Sequence, residues 1–380
     1  MDSQRPQTSI FAVIKGILMI FGIGSNDLPH KPGPLDSYVR VAVGLNGDEG
    51  LPGSLRHAAG NAPLINAFNE NQNYCGSSNH KFPYITSGAF LDINVFQARD
   101  GPGEQATSLQ IIPTKNELCI AYITQTWADG THRGWLGDMG RGCGKDWYYS
   151  NVLVGNDHKP NGTATRSHSF KPPFELTNAQ TACAWVDNDH SHGITTAALQ
   201  IHMQDFTNLT SDYNHDPRFY CTWPTMLWQA DVPDYRVSEH KIKNPSPWTG
   251  PVDFDWKPYF WDDSDTAGTT DHEMNDGTGG KEETTGGSRL KKRSGLAAFS
   301  HLIASPHDRH SAKELCESES SHGPDFISSS EGIFCDMDTK THWPLCDRTT
   351  EKECYHWDTH SLVLGDERQP RNYSHVETWE

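Results

Sequence analysis

Basic residues are scarce in this 380-residue sequence: 31 Lys and Arg stand against 49 Asp and Glu, for a formal net charge of -18. A surface that reads nucleic acid carries a basic stripe interleaved with aromatics. The basic cluster here is the short run Arg289, Lys291, Lys292 and Arg293, so no nucleic-acid partner is expected. The 20 His residues offset the negative charge only in mildly acidic surroundings.

Long apolar runs are scarce as well. Ile10 to Ile23 is mostly apolar, but Lys15 interrupts it. It falls short of the roughly 20 residues that a spanning helix needs, and no stable membrane span is expected. Arg5 flanks the run on one side, and Gly22 and Gly24 occupy the -3 and -1 positions before Ser25. That is the layout of a signal peptide over residues 1–24, which places the protein in the extracellular, secreted class. An uncleaved anchor is the alternative. Pro29, Pro32 and Pro34 separate the run from the folded part of the chain.

Catalytic signatures are missing too. The sequence has no G-x-S-x-G elbow, no H-E-x-x-H helix and no phosphate-cradling glycine loop. His272-Glu273-Met274-Asn275-Asp276 imitates the zinc helix, with Asp at the second ligand place. Carboxylate pairs for glycoside hydrolysis meet in space rather than in sequence, so no catalytic residue is assigned.

What the sequence does contain is glycine (33), proline (23) and tryptophan (12) on a background only 35% hydrophobic. This favours short strands and many turns over long amphipathic helices. Strand signals recur at Tyr38 to Val43, at Leu91, Ile93 and Val95, at Leu118 to Thr126, at Trp147 to Val154, at Ala182 to Val186 and at Thr195 to His202. The run Gly134 to Asp146 reads as a glycine-rich turn. The expected fold is mainly β, with a sandwich or jelly-roll-like first module over 36–261. Its last part, Val232 to Trp261, is proline- and aromatic-rich and reads as an extended arm packed along that module.

Residues 262–295 contain almost nothing apolar to bury and read as a flexible, acidic, disordered linker. Lys292-Arg293 within it is either a site for a kexin-type processing protease, cutting after Arg293, or a solvated basic patch. Beyond lies a small cysteine-rich C-terminal module, 296–364. Gly295 to Ile303 could form a short helix or strand there, and Ser311 to Cys316 looks like a helix start, with Ser311 as N-cap and Glu314 three residues on.

The nine cysteines divide at the linker. Cys75, Cys119, Cys143, Cys183 and Cys221 precede it; Cys316, Cys335, Cys346 and Cys354 lie beyond it. The tail cysteines are expected to bond to one another, as a small module with little core requires, which leaves one odd cysteine in the first module. Asn161, Asn208 and Asn372 head N-glycan acceptor tripeptides, and a glycoprotein is expected.

One loop suggests a metal. Asp187, Asp189 and Ser191 place oxygen ligands at alternate positions before Gly193, as calcium requires from a single loop. It is not an EF-hand, because His192 and Ala198 stand where that loop needs glycine and glutamate. A transition-metal site using His190 or His192 with His202 and Asp205 is a second reading, and a polar turn is a third. Trp127, Trp135, Trp147, Tyr148 and Tyr149 gather around the glycine-rich run, where they either stack on sugar rings or form core.

The segment Gly323-Pro324-Asp325-Phe326, Glu331 to Met337 (EGIFCDM) and Trp343-Pro344-Leu345-Cys346 resembles the C-terminal part of uncharacterised two-module, cysteine-rich secreted proteins of filamentous fungi. The resemblance implies secretion and the two-module plan. It assigns no activity to any residue.

Three functions are compatible with these features: a non-catalytic secreted binding or effector-like protein, with an extracellular glycan or host protein as partner; a secreted hydrolase or small-metabolite-modifying enzyme, with its site in the loops of the β module; or a structural component of a wall or surface.

Overall fold

The computed structural model describes residues 28–45, 58–72, 74–78, 82–97, 105–114, 117–154, 179–190, 193–206, 220–232 and 301–379. The signal segment, the linker, all of the arm except Val232, and the acceptors Asn161 and Asn208 lie outside the described residues. Asn372 is described and exposed.

Leu118 to Thr126 forms β8, buried along its whole length. Continuous Leu, Ile, Ala and Tyr with flanking Thr suits a strand covered on both faces. β1 (Asp36–Val43) lies between β8 and β6 (Phe90–Phe96), antiparallel to both. Beyond β6 come β4 (Tyr74–Ser78), β3 (Leu64–Phe68), β7 (Ser108–Ile112), β12 (Ala198–His202) and β13 (Met226–Gln229). On the other side β8 pairs with β9 (His132–Leu136) and β11 (Ala179–Val186), and β10 (Trp147–Val154) ends the sheet. β2 (Gly60–Asn61) and β5 (Tyr84–Ile85) pair separately.

The mainly β class expected from the strand pattern is what the structure shows, as one eleven-stranded sheet curled into a half-barrel. Its inward face carries Val39, Val41, Ile93, Val95 and Ile123 from the middle strands and Ile65, Leu109, Ile111, Leu199 and Ile201 from the far ones, in one apolar cluster. The curl brings Trp135 on β9 to Trp228 on β13, ring centroids 6.2 Å apart, and Trp135 Nε1 donates to Met226 Sδ at 3.1 Å. One sheet thus supplies both of the layers that a sandwich divides between two.

The run read as a glycine-rich turn is more ordered than expected. It holds the end of β9 and a short helix, α1 (Asp138–Gly142). A Cβ on Gly137 would sit 2.4 Å from the Ile120 carbonyl oxygen and 2.5 Å from that of Ala182, so this glycine serves close packing on β8 and β11.

In the C-terminal unit β14 (His301–Ser305) runs parallel to β15 (Asp325–Ser328), with α2 (Ala312–Glu317) in the crossover. The Ser311 side chain accepts from the Glu314 N–H at 3.0 Å, the cap expected there. β16 (Ile333–Asp336) and β17 (Thr341–Pro344) extend this sheet on one side. On the other, β21 (His375–Thr378) pairs parallel with β14. The unit therefore continues past the expected boundary at 364, and Trp379 N–H donates to the Ala304 carbonyl. β18 (Cys354–His356), β19 (Ser361–Leu364) and β20 (Glu367–Pro370) form a second sheet, joined to the first where Tyr355 stacks on Phe334, centroids 3.9 Å apart.

The disulfides are Cys119–Cys183, Cys143–Cys221, Cys316–Cys335 and Cys346–Cys354. The tail cysteines bond to one another, as expected, and the odd cysteine is Cys75, which is buried and stands outside these four pairs.

Candidate functional site

The aromatics that the sequence offered as sugar platforms are core. Trp127, Trp135, Trp147, Tyr148 and Tyr149 are each no more than 2% exposed. Among the described residues, the exposed large hydrophobics are instead Tyr84, Phe90, Phe96, Trp223 and Trp357, and two of these five belong to one strand.

Alternation places the side chains of β6 on two faces. Ile93 and Val95 face the core. Phe90, Asp92, Asn94 and Phe96 face outward, opposite Ala42, Arg40, Tyr38 and Asp36 of β1. Phe90 and Phe96 are 52% and 51% exposed and, six residues apart on a strand, stand about 20 Å from each other. Arg40 lies between them. Its Nε and Nη2 donate to the two oxygens of Asp92 at 2.6 and 2.9 Å, and its guanidinium carbon sits 3.8 Å from the Phe90 ring centroid. Burial works against the charge on Arg40, but the hydrogen bonds and charge of Asp92 outweigh it and raise its pKa. Next along the strand, Asn94 is half-buried and its Oδ1 has no hydrogen-bond partner. The face therefore presents ring, ion pair, amide and ring in a line.

Only part of the expected metal loop is described. Asp187 is fully buried, its Oδ1 accepts from the Asp189 N–H at 3.3 Å, and its own N–H donates to the Thr196 carbonyl. Ser191 lies outside the described residues, so the three oxygens are not seen together. His190 has a left-handed backbone (φ 56°), and its two ring nitrogens each lie 2.7 Å from a carbonyl oxygen, of Ile194 and Ala230. Both nitrogens face carbonyl acceptors, and the pKa of the ring is raised, chiefly by the Ile194 bond. Backbone carbonyls thus occupy both nitrogens that a metal would use.

His202 and Asp205, the other members of the transition-metal reading, do come together. His202 Nδ1 is 3.0 Å from Asp205, and its Nε2 is 3.1 Å from Glu70, a residue that the sequence gave no reason to single out. Thr225 donates to Asp205 at 2.8 Å. Burial lowers the His202 pKa, and the two carboxylates raise it by more. The same geometry lowers the pKa of Glu70. Both nitrogens are engaged by carboxylates, which clasps the turn after β3 to the end of β12. Among the described residues no cluster of three His, Cys, Asp or Glu side chains is arranged to hold a metal ion, and no helix is long and apolar enough to cross a membrane.

The motif residues of the C-terminal segment are accounted for by packing. Asp325 accepts from the Met337 N–H at 2.8 Å and from Tyr373 Oη at 2.6 Å, Asp336 pairs with Arg371, Phe326 is buried, and Cys335 bonds to Cys316. No family model matches the chain, and no curated protein is similar to it.

Proposed function

We propose that this chain is a secreted extracellular protein that acts by binding, and that the outward face of β6 takes an extended glycan. Support for secretion comes from the four disulfides, which persist in oxidising compartments, and from the resemblance of the C-terminal segment to secreted fungal proteins. The observation that carries the binding reading is the row Phe90, Asp92, Asn94, Phe96. Exposed rings offer flat apolar faces to the C–H side of a sugar, and the polar groups between them meet its hydroxyls and fix its register. The span of about 20 Å suits a linear oligomer rather than a single small molecule.

The test is titration calorimetry of the secreted protein with a panel of soluble cell-wall oligosaccharides of four or more units. Phe90→Ala and Phe96→Ala should each weaken binding by about 1–2 kcal/mol, as truncation of an aromatic anchor does, and Phe96→Ala should leave the melting temperature unchanged. Absence of binding across the panel, or binding indifferent to both substitutions, overturns the proposal. Capture of a host protein through the same two residues would replace the glycan with a protein partner.

A further inference from the structure

β10 ends the eleven-stranded sheet, and an open edge invites pairing with another chain. Here the C-terminal unit occupies it. Trp147 N–H donates to the Ser320 carbonyl at 3.1 Å and the Trp147 carbonyl accepts from His322 N–H at 2.9 Å, a parallel bridge of the kind by which a peptide adds to a sheet.

The side chains repeat the pattern. Trp147 Nε1 donates to Ser318 Oγ at 3.1 Å, Tyr148 Oη to the Pro324 carbonyl at 2.8 Å and Trp185 Nε1 to the His322 carbonyl at 2.9 Å. Tyr149 Oη donates to Glu314 at 3.1 Å and accepts from the Ser311 N–H at 3.0 Å. Four neighbouring aromatics of the first module thus send their polar atoms to residues 311–324. Arg141 of α1 grips Glu314 with Nε at 2.7 Å and Nη2 at 2.5 Å, and His322 Nε2 meets Asp146 at 2.7 Å. Phe326 packs against the Tyr148 and Tyr149 rings. Gly323 fits only as glycine, since a Cβ there would lie 2.3 to 2.8 Å from the Tyr148 ring.

No disulfide crosses this contact. Eight of the nine cysteines are paired within their own segments, and the ninth, Cys75, is buried. Apart from the connecting residues 233–300, the two parts are held by noncovalent contacts alone.

We propose that residues 301–379 are a built-in partner for the β10–β11 face, holding to it as a separate chain once the connection is cut. A chain cut between the two parts is then a two-chain protein with a dissociable C-terminal subunit. Cutting turns a permanent contact into a concentration-dependent one, and loss of the subunit uncovers an aromatic sheet edge.

The experiment uses the full secreted chain with a site-specific protease sequence inserted after Arg293. After cutting, the fragments are followed by size-exclusion chromatography at pH 7 over a dilution series. Co-elution at micromolar concentration is expected, and separate elution there overturns the proposal. Tyr148→Phe, which removes one hydrogen bond, should weaken the pairing about fivefold. Gly323→Val should separate the cut fragments outright, and fragments that stay together in this variant overturn the assigned interface. Should Gly323→Val fail to fold, Tyr148→Phe decides, and unchanged affinity in that variant counts against the interface.

Discussion

His322 Nε2 lies 2.7 Å from Asp146 Oδ1 where the C-terminal unit meets the sheet, and both side chains are buried. Asp146 also accepts from the backbone N–H and hydroxyl of Thr195, at 2.7 and 2.6 Å. Burial pushes its carboxyl up, but the hydrogen bonds from His322 and Thr195 pull further, and its pKa is lowered. A carboxyl whose folded pKa is depressed adds stability that is fully present above its unfolded pKa, near 3.9. That stability is lost as pH falls through the lower folded value. Tryptophan fluorescence should therefore show an acid transition below about pH 4. Asp146→Asn should lower stability at neutral pH by about 3 kcal/mol, the scale for breaking a buried pair, and flatten that acid limb.

Asp325 acts in the opposite sense. Burial, with the charge of Asp336, pushes its carboxyl up to about 7 against the Tyr373 hydrogen bond. Between about pH 4 and 7 the unfolded chain has released this proton and the folded chain keeps it. The unfolded state then binds fewer protons, so stability falls as pH rises across that window. Melting temperature should decline from about pH 4.5 to 7, and Asp325→Asn should remove the decline. A melting temperature rising over this range would show that the carboxyl is ionised in the fold.

Local and distant relationships differ in how legible they are in the sequence. β8, β1 and the Ser311 cap rest on residues near one another in the chain, and the sequence pattern predicts all three. Trp147, Tyr148 and Tyr149 read as strand or platform, and their true role is hidden because their partners lie more than 160 residues away. The outward face of β6 is half visible. Leu91, Ile93 and Val95 announce the alternation, which puts Phe90 and Phe96 on the opposite face, but only the curl of the sheet shows which face is filled. Glu70 cannot be tied to His202 from sequence at all, since only the pairing of β3 with β7 and of β7 with β12 brings them together.

Peptide mapping without reduction should return the pairs Cys119–Cys183, Cys143–Cys221, Cys316–Cys335 and Cys346–Cys354. Cys75 should resist iodoacetamide in the folded protein and react after denaturation, because a buried thiol is closed to the reagent. Replacing Cys119 and Cys183 together by Ala removes a link across 64 residues of sequence and should cost about 2–5 kcal/mol. Rapid labelling of Cys75 in the native protein would contradict the packing of β4.

The acidic loop gives the last prediction. Calcium needs several oxygens exposed together on one side. Asp187 is instead fully buried and engaged with the Asp189 N–H, while both ring nitrogens of the neighbouring His190 are taken up by carbonyls. Millimolar calcium should leave the melting temperature unchanged, whereas a ligand at about 100 times its Kd adds about 2.7 kcal/mol. Asp187→Ala should destabilise by about 0.5–1.5 kcal/mol through the lost bond to the Asp189 N–H, with or without calcium. Asp189→Ala, away from the packed core, should change stability by about half a kcal/mol or less. A calcium-dependent rise in melting temperature that Asp189→Ala abolishes would instead establish Asp187, Asp189 and Ser191 as a metal site.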